Sequence, residues 1–330
     1  VSARAFAARL LSASLLAACG DATPALGEGA STAPAASAPA PPSSAPSVEP
    51  LSEPAALPPP ALPAPAALCA IGDVHGDVEA LRAALRLCEV FDGERWSGGE
   101  RWVVQVGDLL DRGDDEDEIL ALLERLEAEA AAAGGRLVVL NGNHELMNAQ
   151  GDFRYVTPEG FADFASYAGG RAPRGAPRSE AGRAAAFAPG GPMARRFAAH
   201  PTAIRIGDTV FVHGGLSPRA AELGLGRINR DMRRYLLEGG PLPGSLEGEE
   251  SPVWHRGYAG EPSEVDCDAL GRALAALGAR RMVIGHTVQE RGITSACDER
   301  VYRIDVGLSR FYGGPREVLE LEGVAVSIRR

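Results

Sequence analysis

Three times between residues 67 and 145 the chain runs a short apolar stretch straight into a loop of glycine, Asp, His and Asn. Ala67-Leu68-Cys69-Ala70-Ile71 enters Gly72-Asp73-Val74-His75-Gly76, and Trp102-Val103-Val104-Gln105-Val106 enters Gly107-Asp108-Leu109-Leu110-Asp111-Arg112-Gly113. The third, Arg136-Leu137-Val138-Val139-Leu140, enters Asn141-Gly142-Asn143-His144-Glu145. Short apolar runs of this kind suit buried strands. Between them Val78, Leu81, Leu85 and Cys88, then Ile119, Leu122, Leu123 and Leu126, recur at helical spacing. Strand, loop and helix in repetition predict an α/β fold, and in open α/β sheets the ligand site lies outside the carboxyl ends of the strands. The three polar loops are therefore expected to meet in space.

The residue types in those loops point to phosphate chemistry on metal. Within a few residues the second loop offers Asp108 as a hard ligand, Asp111 as a second carboxylate, and Arg112 as a guanidinium suited to bidentate phosphate contact. Asp73 and His75 are two apart, so in extended chain they project to the same side. The acidic run Asp114 to Glu118 precedes a helical stripe and is read as favourable to the helix N-terminus rather than as a ligand cluster. Residues 151 to 201 carry a weaker pattern and read as a mostly helical, irregular insertion bordering the site. Two further strands follow, Thr209 to Val212 ending in His213-Gly214-Gly215, and Arg281 to Ile284 ending in Gly285-His286-Thr287. Between them lie a turn-rich stretch, Gly239 to Ser251, expected to be a mobile loop, and Trp254-His255-Arg256-Gly257-Tyr258. His200 and His255 are read as structural, and the tryptophans chiefly as packing.

Taken together, Gly72 to Gly76, Gly107 to Gly113, Gly142 to Glu145, His213 to Gly215 and Gly285-His286 resemble the phosphoprotein phosphatase family of the calcineurin-like metallophosphoesterases. Met147-Asn148, Gly151 to Val156, Trp254 to Tyr258 and Ile304-Asp305-Val306-Gly307-Leu308-Ser309 resemble the Shewanella-like branch of that family. The resemblance implies two mixed β-sheets sandwiched and flanked by helices, with a dimetal site at the carboxyl ends of strands. It implies one metal on Asp73, His75 and the bridging Asp108, and a second on Asp108, Asn143, His213 and His286. Mixed oxygen and imidazole donors suit Mn first, with Fe or Zn as alternatives, rather than Ca. A hydroxide bridging the two ions would attack phosphorus directly. His144 matches the general acid, Asp111 the carboxylate that orients it, and Arg112 the phosphate clamp, with Arg256 as a second clamp. The implied activity is hydrolysis of phosphomonoesters, on phosphorylated protein or a small substrate, by a monomeric catalytic domain. A dinucleoside polyphosphate hydrolase shares the same blocks, and an inactive surface binding module is the third reading.

The remaining sequence concerns location. Leu10 to Ala18 is apolar, follows Arg4 and Arg9, and ends at Cys19 in Leu16-Ala17-Ala18-Cys19. This reads as a secretory signal (1–18) too short to span a bilayer, and it resembles a bacterial lipobox. Lipid attachment at Cys19 and a membrane anchor facing the periplasm or cell exterior are expected. Residues 19–66, rich in Ala, Pro and Ser, lack apolar periodicity and read as a disordered tether; 67–330 is the catalytic domain. A net charge of -11 and a pI near 5.1 argue against a nucleic-acid partner. Export permits disulfides; Cys267 and Cys297, flanking the His286 strand, are the expected pair, with Cys69 and Cys88 read as buried thiols on apolar faces.

Overall fold

The computed structural model describes residues 55–169, 177–261 and 263–330. The expected signal, Cys19 and the tether through residue 54 lie outside these residues. The last part of the expected tether is packed on the catalytic domain. There β1 (Ala61–Leu62) lies parallel to β5 (Ala203–Ile206), with Pro60 O accepting from Arg205 N at 2.9 Å and Leu62 O from Gly207 N at 2.9 Å. An edge strand needs only a free sheet edge and tolerates neighbouring prolines, so missing apolar periodicity does not preclude pairing.

The three repeated units become β2 (Leu68–Ile71), α1 (Val78–Leu87), β3 (Trp102–Gln105), α2 (Glu116–Ala132), β4 (Arg136–Val139) and α3 (Asn143–Ala149). The parallel strands β2, β3 and β4 are in step, Leu68 opposite Trp102 and Trp102 opposite Arg136, so their three loops emerge together. The insertion is largely helical: α4 (Pro158–Asp163), a 3₁₀ turn (Ala165–Gly169), α5 (Ala181–Phe187) and α6 (Pro192–Phe197). After β5 come β6 (Thr209–Val212), α7 (Pro218–Leu223), α8 (Leu225–Glu238), α9 (Cys267–Leu277), β7 (Arg281–Ile284), β8 (Thr294–Ala296), β9 (Val301–Arg303), β10 (Val318–Glu322) and β11 (Ala325–Arg329). They form two mixed sheets, ordered β11-β10-β2-β3-β4 and β1-β5-β6-β7-β9-β8.

Period-two alternation explains how the second sheet is buried on both faces. Phe211 and Val283 join the core shared with Val103, Val104 and Ile71 of the first sheet, while Val210, Val212, Met282 and Ile284 join a second core with Leu225, Ile228, Leu270 and Leu274 of the helices. The parallel trio β6, β7 and β9 points its carboxyl ends at the same region as β2, β3 and β4, placing His213, His286 and Asp305 just beyond strand ends.

Cys267 and Cys297 form the expected disulfide. Cys69 and Cys88 are also joined, correcting the expectation of two free thiols. Both lie in the core, as their apolar faces imply, but α1 folds back over β2 and brings its C-cap Cys88 to a Cα distance of 5.6 Å from Cys69, within disulfide range.

Candidate active site

Asp108 stands at the centre of the site. Its Oδ1 accepts the backbone N–H of His144 at 3.0 Å, which turns Oδ2 toward three imidazoles: His213 Nε2 at 3.2 Å, and His75 Nε2 and His144 Nε2 each at 3.8 Å. Two groups of candidate ligand atoms share this carboxylate, one of His75, Asp108 and His144, the other of Asp108, His213 and His286. Asn143 Oδ1 adds an oxygen donor 2.9 Å from His213 Nε2. Asp73 borders the second group; its two oxygens face His286 N at 3.3 and 3.1 Å, and Oδ1 lies 4.0 Å from His213 Nδ1. All six expected ligands therefore converge, with His144 Nε2 beside them. Arg256 lies at the rim, donating to His286 O at 3.1 Å and Thr287 Oγ1 at 2.6 Å.

The local backbone explains the convergence. His75, Asp108, Asp111, Arg112 and His286 all adopt positive φ, between 48° and 69°. Left-handed conformations at non-glycine residues are costly and concentrate where surrounding structure imposes them for function. Here the surroundings are explicit. Val74 N and His75 N both donate to Asp108 O, and Gly76 N donates to Leu109 O, locking the first loop onto the second. Glu145 locks the second onto the third: its Oε2 accepts Gly142 N at 2.6 Å and Asp108 N at 3.0 Å, and its Oε1 accepts Leu109 N at 2.9 Å. Close approach also demands glycine, since a Cβ at Gly142 would stand 2.2 Å from Asp108 Oδ1 and one at Gly285 2.3 Å from Asp73 Oδ1.

The donor set fits divalent metal. His75 Nδ1 meets Leu110 O at 3.0 Å and His213 Nδ1 meets Val106 O at 2.9 Å. A carbonyl accepts only, so each Nδ1 carries the proton and each Nε2 keeps a lone pair, that of His213 beside Asp108 and that of His75 between Asp108 and the Arg112 guanidinium. His286 Nε2 is buried without a hydrogen-bond partner. Burial pushes His75 down to about 3 and, together with the nearby His213, His286 down to about 2, keeping these rings neutral as ligands require. Burial resists ionisation of Asp108, yet His213 and His144 beside it outweigh that and hold its carboxyl well below the usual range. Burial and the neighbouring carboxylates Asp305 and Asp108 raise Asp73, and burial lifts Asp305 to about 6. Such crowded carboxylates call for cationic charge among them.

His144 differs from the other site histidines. Its Nδ1 is 2.5 Å from Asp111 Oδ2, and although burial opposes the imidazolium, Asp108 and the Asp111 hydrogen bond raise its pKa above the ordinary value. Arg112 contacts His75 Nε2 at 2.9 Å and the Tyr312 hydroxyl, and its guanidinium lies 4.9, 5.1 and 5.7 Å from the ring centroids of Tyr155, Tyr312 and Phe311.

Several participants are given no role by the sequence, although Glu145, Asn148 and Asp305 lie within the blocks that carry the resemblance. Glu145 and Asn148 follow His144 on α3 at positions whose contacts require the fold; Asn148 Nδ2 donates to Asp111 Oδ1 at 3.0 Å. Glu116, read as one of a helix-start run, is fully buried and accepts from Asp111 N. Arg183 arrives from the insertion, and Asp305 bonds Asp73 from beyond β9. His200 and His255 lie in packing positions, beside Phe197 and Tyr258 respectively.

Comparison with known proteins agrees with this geometry. A family model described as calcineurin-like phosphoesterase matches residues 67–290. Shewanella-like protein phosphatase 2 of Arabidopsis thaliana is 42% identical over 291 residues, covering 77% of this chain and 74% of the relative. An uncharacterised protein of Schizosaccharomyces pombe is 35% identical over 264 residues, covering 76% of each. Among solved structures, a cold-active protein tyrosine phosphatase superposes with a TM-score of 0.70 at 26% identity, over 83% of this chain and 78% of that one.

Proposed function

We propose that this chain, which belongs to the calcineurin-like phosphoesterases and among them to the Shewanella-like protein phosphatases, and is a dinuclear metal-dependent phosphatase, acts on phosphotyrosine in proteins. One observation carries the choice of substrate. Tyr155, Phe311 and Tyr312, exposed by 42, 62 and 36%, ring the Arg112 guanidinium at the mouth of the site. A phosphoryl group bound to Arg112 puts its ester substituent among these rings, and a phenol gains aromatic contact there that a serine or threonine side chain lacks. The cold-active protein tyrosine phosphatase of related fold supports the same choice.

In this reading Asp73, His75, Asp108, Asn143, His213 and His286 hold the two ions, Mn by preference, with Fe or Zn as alternatives. When bound, such a pair polarises the phosphoryl oxygens and makes water acidic enough to serve as nucleophile near neutral pH. Arg112 binds the phosphoryl oxygens in a fork, stabilising the charge that develops in transfer, and Arg256 supplies a second cation at the rim. A bond forms from the water oxygen to phosphorus, with one water proton released to solvent, while the bond from phosphorus to the phenolic oxygen breaks, and His144 Nε2 delivers its proton to that departing oxygen and regains one from solvent. Asp111 orients the imidazole and favours its protonated form. The four cysteines among the described residues are all paired, which leaves the described domain no thiol nucleophile and agrees with direct attack by water.

All six ligands come from one chain, in keeping with a monomeric catalytic domain. We further propose export with lipid attachment at Cys19 and a membrane-anchored domain facing the periplasm or exterior; the two disulfides suit an oxidising compartment. Substitution of Cys19 by Ser should release the protein from membranes, and continued membrane retention contradicts the anchor. The activity is tested by offering the Mn-loaded protein phosphotyrosine, phosphoserine and phosphothreonine peptides and dinucleoside polyphosphates. Phosphotyrosine turnover with the highest kcat/KM is expected. Preference for phosphoserine or for anhydride cleavage overturns the substrate reading, and absence of turnover with every metal overturns the catalytic one.

A further inference from the structure

We propose that Arg183, delivered by the insertion, is a positioning residue for proton donation by His144, acting through Asp111. The guanidinium is fully buried and all five of its N–H groups are engaged. Nε donates to Asn148 Oδ1 at 2.7 Å, Nη1 to Gly160 O at 2.7 Å and to Glu116 Oε2, and Nη2 to Asp111 Oδ1 and Glu116 Oε1, both at 3.1 Å. Phe164 and Phe187, themselves in edge-to-face contact, lie together against it with ring centroids at 5.2 and 4.9 Å. Five hydrogen bonds in one plane fix the orientation of this group.

The consequence falls on Asp111. Its Oδ1 is occupied by Arg183 Nη2 and Asn148 Nδ2, and its backbone N–H by Glu116 Oε1, so Oδ2 remains for His144 Nδ1. Asn148 also donates to His144 O at 2.9 Å, tying the same cluster to the turn of α3 that bears the imidazole. Glu116 takes the guanidinium as a two-bonded fork and fixes its plane, and one N–H of that fixed group then holds Asp111 Oδ1 from behind, restraining the carboxylate from rotating away from the ring it orients. Lysine in that place would keep the charge but not the fork. The insertion thus contributes to the chemistry from behind the site as well as bordering it.

This rests on His144 being the proton donor, and the test separates the two ideas. Wild type, H144A, R183K, R183Q with E116Q, and H144A combined with R183K are compared as full-length Mn-loaded protein on aryl phosphates from dinitrophenyl to phenyl. A poor leaving group needs the proton and a good one does not. H144A should lose far more on phenyl than on dinitrophenyl phosphate; an equal loss on both overturns the His144 reading itself. R183K is expected to lose about tenfold in kcat on phenyl phosphate and about twofold or less on dinitrophenyl phosphate, with KM little changed, and to cost nothing further in the H144A background. Equal loss on all esters, no loss on any, or an undiminished loss without His144 overturns the positioning role. Failure of both Arg183 variants to fold also overturns it, assigning the residue to holding the insertion in place.

Discussion

Glu145 offers the sharpest perturbation of the scaffold, because one buried carboxylate accepts three backbone N–H groups from two of the metal-bearing loops. Glu145→Gln changes no volume but leaves one oxygen where there were two. If that oxygen keeps Gly142 N and Asp108 N, the new amide faces Leu109 N, donor against donor. A buried donor left unsatisfied costs about 1–3 kcal/mol, and two charge-assisted bonds made neutral lose about 1 kcal/mol each. Relief of burying a charge, whose cost shows in the raised Glu145 pKa caused first by burial and then by Asp108, returns part of this. The expected net loss is about 2–4 kcal/mol, or about 4–8 °C in Tm for a domain of this size. Because Asp108 N is one of the three donors, the shared ligand should shift as well, weakening Mn binding by about 10–100-fold. Calorimetry and Mn titration of the purified variant measure the two effects. A variant with wild-type Tm and Mn affinity would show that Glu145 neither clamps the loops nor places Asp108.

Burial and Arg196 depress His200 to about 3. Its neutral form is favoured by folding, so its contribution is complete above about pH 6.5 and is lost as pH falls toward 3, at up to about 1.4 kcal/mol per pH unit. His200→Gln should flatten urea stability across that window by this amount, and an unchanged slope refutes the assignment. Removing Cys69–Cys88 by paired alanine substitution should lower stability by about 3 kcal/mol from loop closure over its separation of 19 residues, and removing Cys267–Cys297, separation 30, by slightly more. Urea midpoints with and without reductant check both, since wild type should move with reductant and the double alanine variants less.

What the sequence shows and what it hides divide by range. That the loops bearing Asp73, His75, Asp108, Asn143, His213 and His286 meet is legible because each follows an apolar run and the strand ends are in step, while the choice of these six as ligands comes from the family resemblance. The Asp111 and His144 pair is implied by the same resemblance, and the structure sets the two side chains together. Arg183 does not, because its partners lie up to 72 residues away and nothing in Ala181-Gly182-Arg183-Ala184 distinguishes it from a surface arginine. Glu116 is hidden in the opposite way, inside an acidic run whose other members explain it as a helix start. Cys69 and Cys88 show their burial in the apolar pattern, but pairing depends on how α1 lies on β2. The segment around β1 has no pattern at all, since its place is supplied by the exposed edge of β5.

If Asp108 joins the two metal sites, phosphatase activity depends on that one carboxylate. Metal content of the purified Mn-loaded protein, measured together with phosphotyrosine peptide turnover for wild type, Asp108→Asn and His144→Ala, tests it directly. Two ions per chain are expected in wild type and in His144→Ala, the latter with most of its turnover gone, while Asp108→Asn should lose metal and turnover together. Two ions retained in Asp108→Asn with turnover intact, or equal metal loss in both variants, would contradict it.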